Sequence, residues 1–179
     1  PFSEAELEIM YNHLDIPIIQ AAVIMCYSGW RITEFLTLDI NLDDMTFFGG
    51  VKTEAGIDRI VPIHAGIAPL VKLYTSQQPI YSKDSFRKNW DTVMNDLGIL
   101  WTETRKGRKV KKAKHTSHDC RHTFTWLCDK YKVDPISKRM MIGHKLGKDI
   151  TDNTYGHRTS DELREEISKI KVPESVTNL

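Results

Sequence analysis

Four short stretches carry residue types suited to work on a phosphate: Gly29-Trp-Arg-Ile-Thr-Glu34, His118-Asp-Cys-Arg-His122, Gly143-His144 and Thr154-Tyr-Gly-His157. A phosphodiester is an anion that repels nucleophiles, and in-line attack spreads further charge over its free oxygens. The guanidiniums of Arg31 and Arg121 could grip such oxygens with paired hydrogen bonds and stay charged at any working pH. His118 and His144, with ordinary pKa values near ~6.5, could donate to them or move a proton. The phenol of Tyr155 ionises far more readily than an aliphatic hydroxyl, so it could attack and later be expelled. Each stretch also has a plainer meaning. An arginine after a helix-ending glycine is commonly a surface ion pair, and a tyrosine beside glycine is usually a half-buried amphipathic side chain.

The elements that would position these residues can be read from periodicity and caps. Ser3 with Glu6 forms a capping box before Leu7, Tyr11 and Leu14 at helical spacing. Ile18 to Tyr27 is apolar nearly all round, which predicts a buried helix ended by Gly29. A short helix follows through Thr33 to Leu38. Met45 to Val51 and Arg59 to Ile63 are rich in strand formers around a turn at Glu54-Ala-Gly56, a β-hairpin with Lys52 near its turn. Helices resume with Phe86, Trp90, Val93 or Met94, and Leu97 on one face before Gly98. Thr116 or Ser117 caps a helix with Phe124, Leu127, Cys128 and Tyr131 inward. Pro135 to Ile142, Thr151 to Tyr155, and a last helix capped by Ser160 with Leu163, Ile167 and Ile170 inward complete the set. Val172 to Leu179 reads as a tail. The expected fold is mainly α with one small antiparallel β-sheet, an α+β domain.

Charge distribution adds a partner class. Twenty-five basic residues nearly cancel 24 acidic ones, so net charge decides nothing. From Arg105 to Lys114, however, there are seven basic residues and no acid: Arg105, Lys106, Arg108, Lys109, Lys111, Lys112 and Lys114. Such a block is the footprint of a polyanion, or else a solvated loop. The three cysteines form no CxxC pair, and Cys120 and Cys128 are too far apart on one helix to bridge. A reducing cytosol fits them, and no apolar run approaches the length of a membrane span. A chain opening on Pro1 is expected to be a piece of a longer protein.

In this order, with Lys52 in a hairpin after the first stretch, the four stretches resemble the signature of the tyrosine recombinases, the phage and transposon integrase family. The resemblance spans nearly the whole chain and implies that residues 1–172 form the family's catalytic-domain fold, with 173–179 a tail and the N-terminal DNA-binding part missing. It places the catalytic positions on Arg31, Lys52, His118, Arg121, His144 and Tyr155. It makes Tyr155 the nucleophile, His118 the acceptor of its proton and Lys52 the donor to the departing 5′ oxygen. The implied reaction is site-specific recombination through a 3′-phosphotyrosyl link, with neither metal nor ATP. Implied partners are duplex DNA attachment sites, further copies of the chain in a tetramer, and accessory DNA-bending or directionality proteins in a bacterial cytosol. Trp30, Cys120 and Ile142 depart from the family pattern as apolar swaps, and the segment from His144 to Tyr155 is longer than in some relatives.

Two rivals have other chemistry. His118 and His122, four apart with His115 and Cys120 near, suggest zinc, but no Glu follows His118 and Arg121 is a poor neighbour for a cation. A DNA-binding module without catalysis would grip phosphates with the basic block and the helices and not cut. A nucleotide loop at Gly143-His-Lys-Leu-Gly-Lys148 has too short a spacing and no Ser or Thr.

Overall fold

A computed structural model describes residues 1–50, 58–144 and 158–179; the turn with Lys52, the expected helix at 151–155 with Tyr155, and the side chain of Arg105 lie outside the described residues. Helix α1 (Glu4–Tyr11) starts on the predicted capping box, with Ser3 and Glu6 each bonding the other's backbone. Helix α2 (Pro17–Cys26) is buried on every side from Ile18 onward, as its unbroken apolar run requires. Gly29 ends it with φ +73, a left-handed conformation that a Cβ would disfavour. The short helix α3 (Ile32–Phe35) follows at once.

Strands β1 (Asp39–Asn41), β2 (Thr46–Gly49) and β3 (Arg59–Pro62) form one antiparallel sheet in the order β1-β2-β3. Its register pairs Phe47 with Val61 and Phe48 with Ile60. The first pair is buried and the second faces out, as period-2 alternation dictates. After a single 3-10 turn (Ala65–Ile67) comes α4 (Ala68–Ser76), a helix the periodicity reading passed over. It buries Leu70, Val71 and Tyr74. Helix α5 (Lys83–Asp96) buries the predicted Phe86, Trp90 and Met94 and stops at Gly98.

The basic block corrects the expectation of a single sheet. It is neither a loop nor featureless: β4 (Leu100–Arg105) and β5 (Arg108–Ala113) make a second antiparallel hairpin. Lys106 and Gly107, both at positive φ, form its tight turn. Thr102, Thr104 and Val110 are strand formers hidden among charges, which is why composition read the segment as loop.

Helices α6 (His118–Lys130), α7 (Pro135–Met141), α8 (Ser160–Ser168) and α9 (Glu174–Thr177) close the fold. Helix α6 packs across α2 and buries Phe124, Leu127 and Cys128, and all three cysteines are free and buried. Thr159, not Ser160, caps α8 in a capping box with Glu162. Leu163, Ile167 and Ile170 turn into the chain's own core. The expected tail is corrected too: α9 packs on α4 with Val176 fully buried, held by the chain itself. Among the described residues the result is a mainly helical α+β fold with two small antiparallel sheets. Among the described residues, no helix is long and apolar enough to cross a membrane.

Candidate active site

The first and second stretches meet because α2 and α6 pack together. Gly29 lies against α6 so closely that an added Cβ would stand 2.5 Å from Phe124 and 3.0 Å from Ile142. Only a glycine permits this approach, and it delivers the following Arg31 beside Arg121. The Arg121 side chain is buried and donates from Nη1 to the Gly29 carbonyl at 2.9 Å, and from Nη2 to the Ile142 carbonyl. One guanidinium therefore joins the residue two before Arg31 to the residue two before His144. Two of its five N–H donors are used in this way, and the others make no further hydrogen bond among the described residues.

Beneath them lies a residue that the motif reading did not select. Arg59, the first residue of β3, is buried and stacks its guanidinium on Trp30, 3.7 Å from the ring centroid. It donates to the Glu34 carboxylate at 3.0 Å and to the Met141 carbonyl at 3.1 Å. The fully buried Glu34 also accepts from the Arg31 side chain at 3.2 Å and the Arg31 backbone at 3.3 Å. Burial alone would raise the Glu34 pKa, but hydrogen bonds and charge from Arg59, with Arg31 behind them, hold it below the usual carboxylate range. Trp30, the unusual aromatic between Gly29 and Arg31, serves as the platform for Arg59. The sequence clue to Arg59 was an arginine opening an otherwise apolar strand.

Arg31 and Arg59 thus share one carboxylate with Arg121 close by, and the excess charge bears on Arg121, His118 and His144. Burial first, and then repulsion from Arg31 and Arg59, push Arg121 down to about 10, still fully protonated at neutral pH. His118 is lowered by burial and then by His122, Arg121 and Arg31, against a small opposing effect of Asp119. His144 is lowered by burial and then by Arg121, Arg31, Arg59 and Arg139. Both imidazoles stand at the exposed rim, while Arg121, Arg59 and Glu34 form the floor and the half-buried Arg31 lies between. The recess is cationic, open to solvent and edged by neutral histidines. It can bind an anion and accept a proton.

Four of the six predicted catalytic residues, Arg31, His118, Arg121 and His144, fall around this recess; Lys52 and Tyr155 lie outside the described residues. Asp119 accepts from the Thr116 backbone at 2.8 Å, so it closes the start of α6. His122 packs edge to face on His118, ring centroids 4.8 Å apart. Of the other proposed zinc donors, His115 meets Glu6 at 3.2 Å and Cys120 is buried, and no group of three or more such donors is arranged for a metal among the described residues.

The basic hairpin splits its residues between two faces. Lys109 and Lys111 stand opposite Thr104 and Thr102, whereas Lys112 and Arg108 share the other face with Trp101 and Glu103. Lys112 pairs with Glu103 at 3.1 Å, and Lys114 with Glu6 at 2.7 Å. Trp101 and Val110 are exposed on that same face. Between β5, α5 and the start of α6 runs a recess of about 420 Å³ lined by Lys83, Arg87, Lys111 and Lys112, ending at Ser117 beside His118. Comparison with protein-family models, curated proteins and solved structures finds no match to this chain.

Proposed function

We propose that this chain is the catalytic domain of a tyrosine recombinase that cuts and rejoins duplex DNA through Tyr155. The observation that carries the proposal is the convergence of Arg31 and Arg121, 90 positions apart, on one cationic recess rimmed by His118 and His144. Arg31 and Arg121 bind the free oxygens of one phosphodiester, and their fixed charge offsets the charge that develops on in-line attack. His118, neutral at the working pH, accepts the Tyr155 proton, and His144 donates to a phosphate oxygen. Lys52 protonates the departing 5′ oxygen, leaving a 3′-phosphotyrosyl link and a free 5′-hydroxyl. The corresponding hydroxyl released from a partner strand then attacks the link and expels the phenol, which takes its proton back from His118. The β4–β5 hairpin, through Lys109 and Lys111 above all, tracks the DNA backbone beside the recess.

Duplex sites, a tetramer of the chain on DNA, accessory DNA-bending proteins and a cytosolic setting belong to the same proposal. The test uses the full-length protein and a nicked suicide substrate carrying a candidate attachment site. The parent protein forms a covalent adduct, while Tyr155→Phe binds the DNA with similar affinity and forms none. An adduct that survives Tyr155→Phe identifies another nucleophile. Equal behaviour of parent and variant, both binding without cleavage, returns the chain to a DNA-binding module.

A further inference from the structure

Arg59 touches three parts of the recess that sequence separates widely. Through Glu34 it reaches Arg31, through the Met141 carbonyl it reaches the turn that ends in His144, and through Trp30 it supports the residue before Arg31. It also opens β3, the strand following the segment that carries Lys52, and pairs in register with Gly49 at the other side of that segment. A guanidinium is the one side chain with the fork needed for this. Its Nε serves one partner while both Nη atoms, 3.4 and 3.0 Å from the two Glu34 oxygens, serve another. The flat face remains for stacking on the indole. An ammonium carries the same charge but cannot hold this geometry.

We infer that Arg59 is a positioning residue, which orients Arg31 and the His144 turn around the scissile phosphate without touching it. The assignment of a phosphate rests on the recombinase reading; the positioning of the recess does not. A buried guanidinium that only balanced Glu34 would be replaceable by any cation. One that positions its neighbours is not, because about 1 Å of misplacement at a reacting centre can cost on the order of a hundredfold in rate.

The test compares Arg59→Lys with the parent in full-length protein. In single-turnover cleavage of the suicide substrate, Arg59→Lys is expected to lose at least tenfold in rate, while its DNA affinity, measured in the Tyr155→Phe background, stays within about threefold. A rate within twofold of the parent overturns the assignment. A second readout needs no recombinase activity. His144 faces Arg121, Arg31, Arg59 and Arg139, and His118 faces His122, Arg121, Arg31 and Asp119. Followed by ring-proton NMR, the His144 titration midpoint is expected to rise toward the ordinary histidine value in Arg59→Lys, since the turn loosens while charge is kept; that of His118 stays.

An unmoved His144 midpoint overturns the assignment even if the parent never cleaves DNA, whereas a parent without adduct and a moved midpoint sinks only the recombinase reading. Should Arg59→Lys fail to fold, the double change Arg59→Gln with Glu34→Gln removes both buried charges together. It is expected to fold and to show the same loss of cleavage rate with DNA affinity kept, and a parent-like rate there overturns the assignment.

Discussion

The Arg121 guanidinium donates to the Gly29 carbonyl at 2.9 Å across 92 positions of chain. That bond, with its twin to Ile142, makes Arg121 both a structural tie and a candidate phosphate ligand. The two roles can be separated by experiment.

Arg121→Lys leaves one buried carbonyl without its donor, since an ammonium at the end of a flexible stem cannot span both. The expected cost is about 1–3 kcal/mol of folding stability, read as a lower urea midpoint. The loss in adduct formation should be far larger, on the order of a hundredfold or more, because the forked contact to the phosphate is lost as well. A rate that falls only in step with the folded fraction would limit Arg121 to the structural tie.

The two faces of the β4–β5 hairpin should differ in DNA binding. Lys112 and Lys114 already meet Glu103 and Glu6, whereas Lys109 and Lys111 face threonines. Lys109→Ala with Lys111→Ala is expected to weaken binding to every sequence alike and lower the salt slope by roughly two. Lys112→Ala with Lys114→Ala should change it less. Titrations at three or more salt concentrations decide the order, and a changed sequence preference would mean that the hairpin reads bases.

Stability should fall with acid in two stages. His64, whose Nδ1 accepts from the Gly66 backbone at 2.9 Å while Nε2 bonds the Ile170 carbonyl at 2.8 Å, is held below its ordinary 6.5, by burial first. His118 and His144 are lowered as well. Below pH 6.5 the unfolded chain therefore binds more protons than the folded one, and stability present above 6.5 declines as pH falls toward the folded values. Glu6 follows: burial opposes ionisation, but Lys114, Ser3 and His115 lower it to about 2. Its contribution is present above pH 4.5 and is lost as pH falls toward 2. Urea midpoints at pH 7.5, 5.5 and 3.5 test both stages. Glu6→Gln should flatten only the second, by on the order of 2 kcal/mol, and a midpoint constant from pH 7.5 to 5.5 would refute the first.

Helix α2 was legible because ten nearly uninterrupted apolar residues ending at a glycine have few other folds open to them. The caps at Ser3 and the core stripes of α5 and α6 were legible for similar local reasons. The β4–β5 hairpin was not, since its strand formers alternate with lysines and its turn, Lys106-Gly107, carries no apolar signal on either side. Helix α4 was lost in a run of mixed polarity after Pro69.

By itself the sequence determined which residue types were available for phosphate chemistry and the order in which they occur, because those follow from covalent structure and short-range caps. Whether Arg31 and Arg121 face one recess was decided by the tertiary structure, through a glycine small enough to let α2 and α6 touch. So was the part played by Arg59: no spacing marks a buried arginine that meets Glu34, Trp30 and Met141 across 25, 29 and 82 positions. Local physics writes helices and turns into the chain, but convergence depends on packing between segments that meet only once the core has formed.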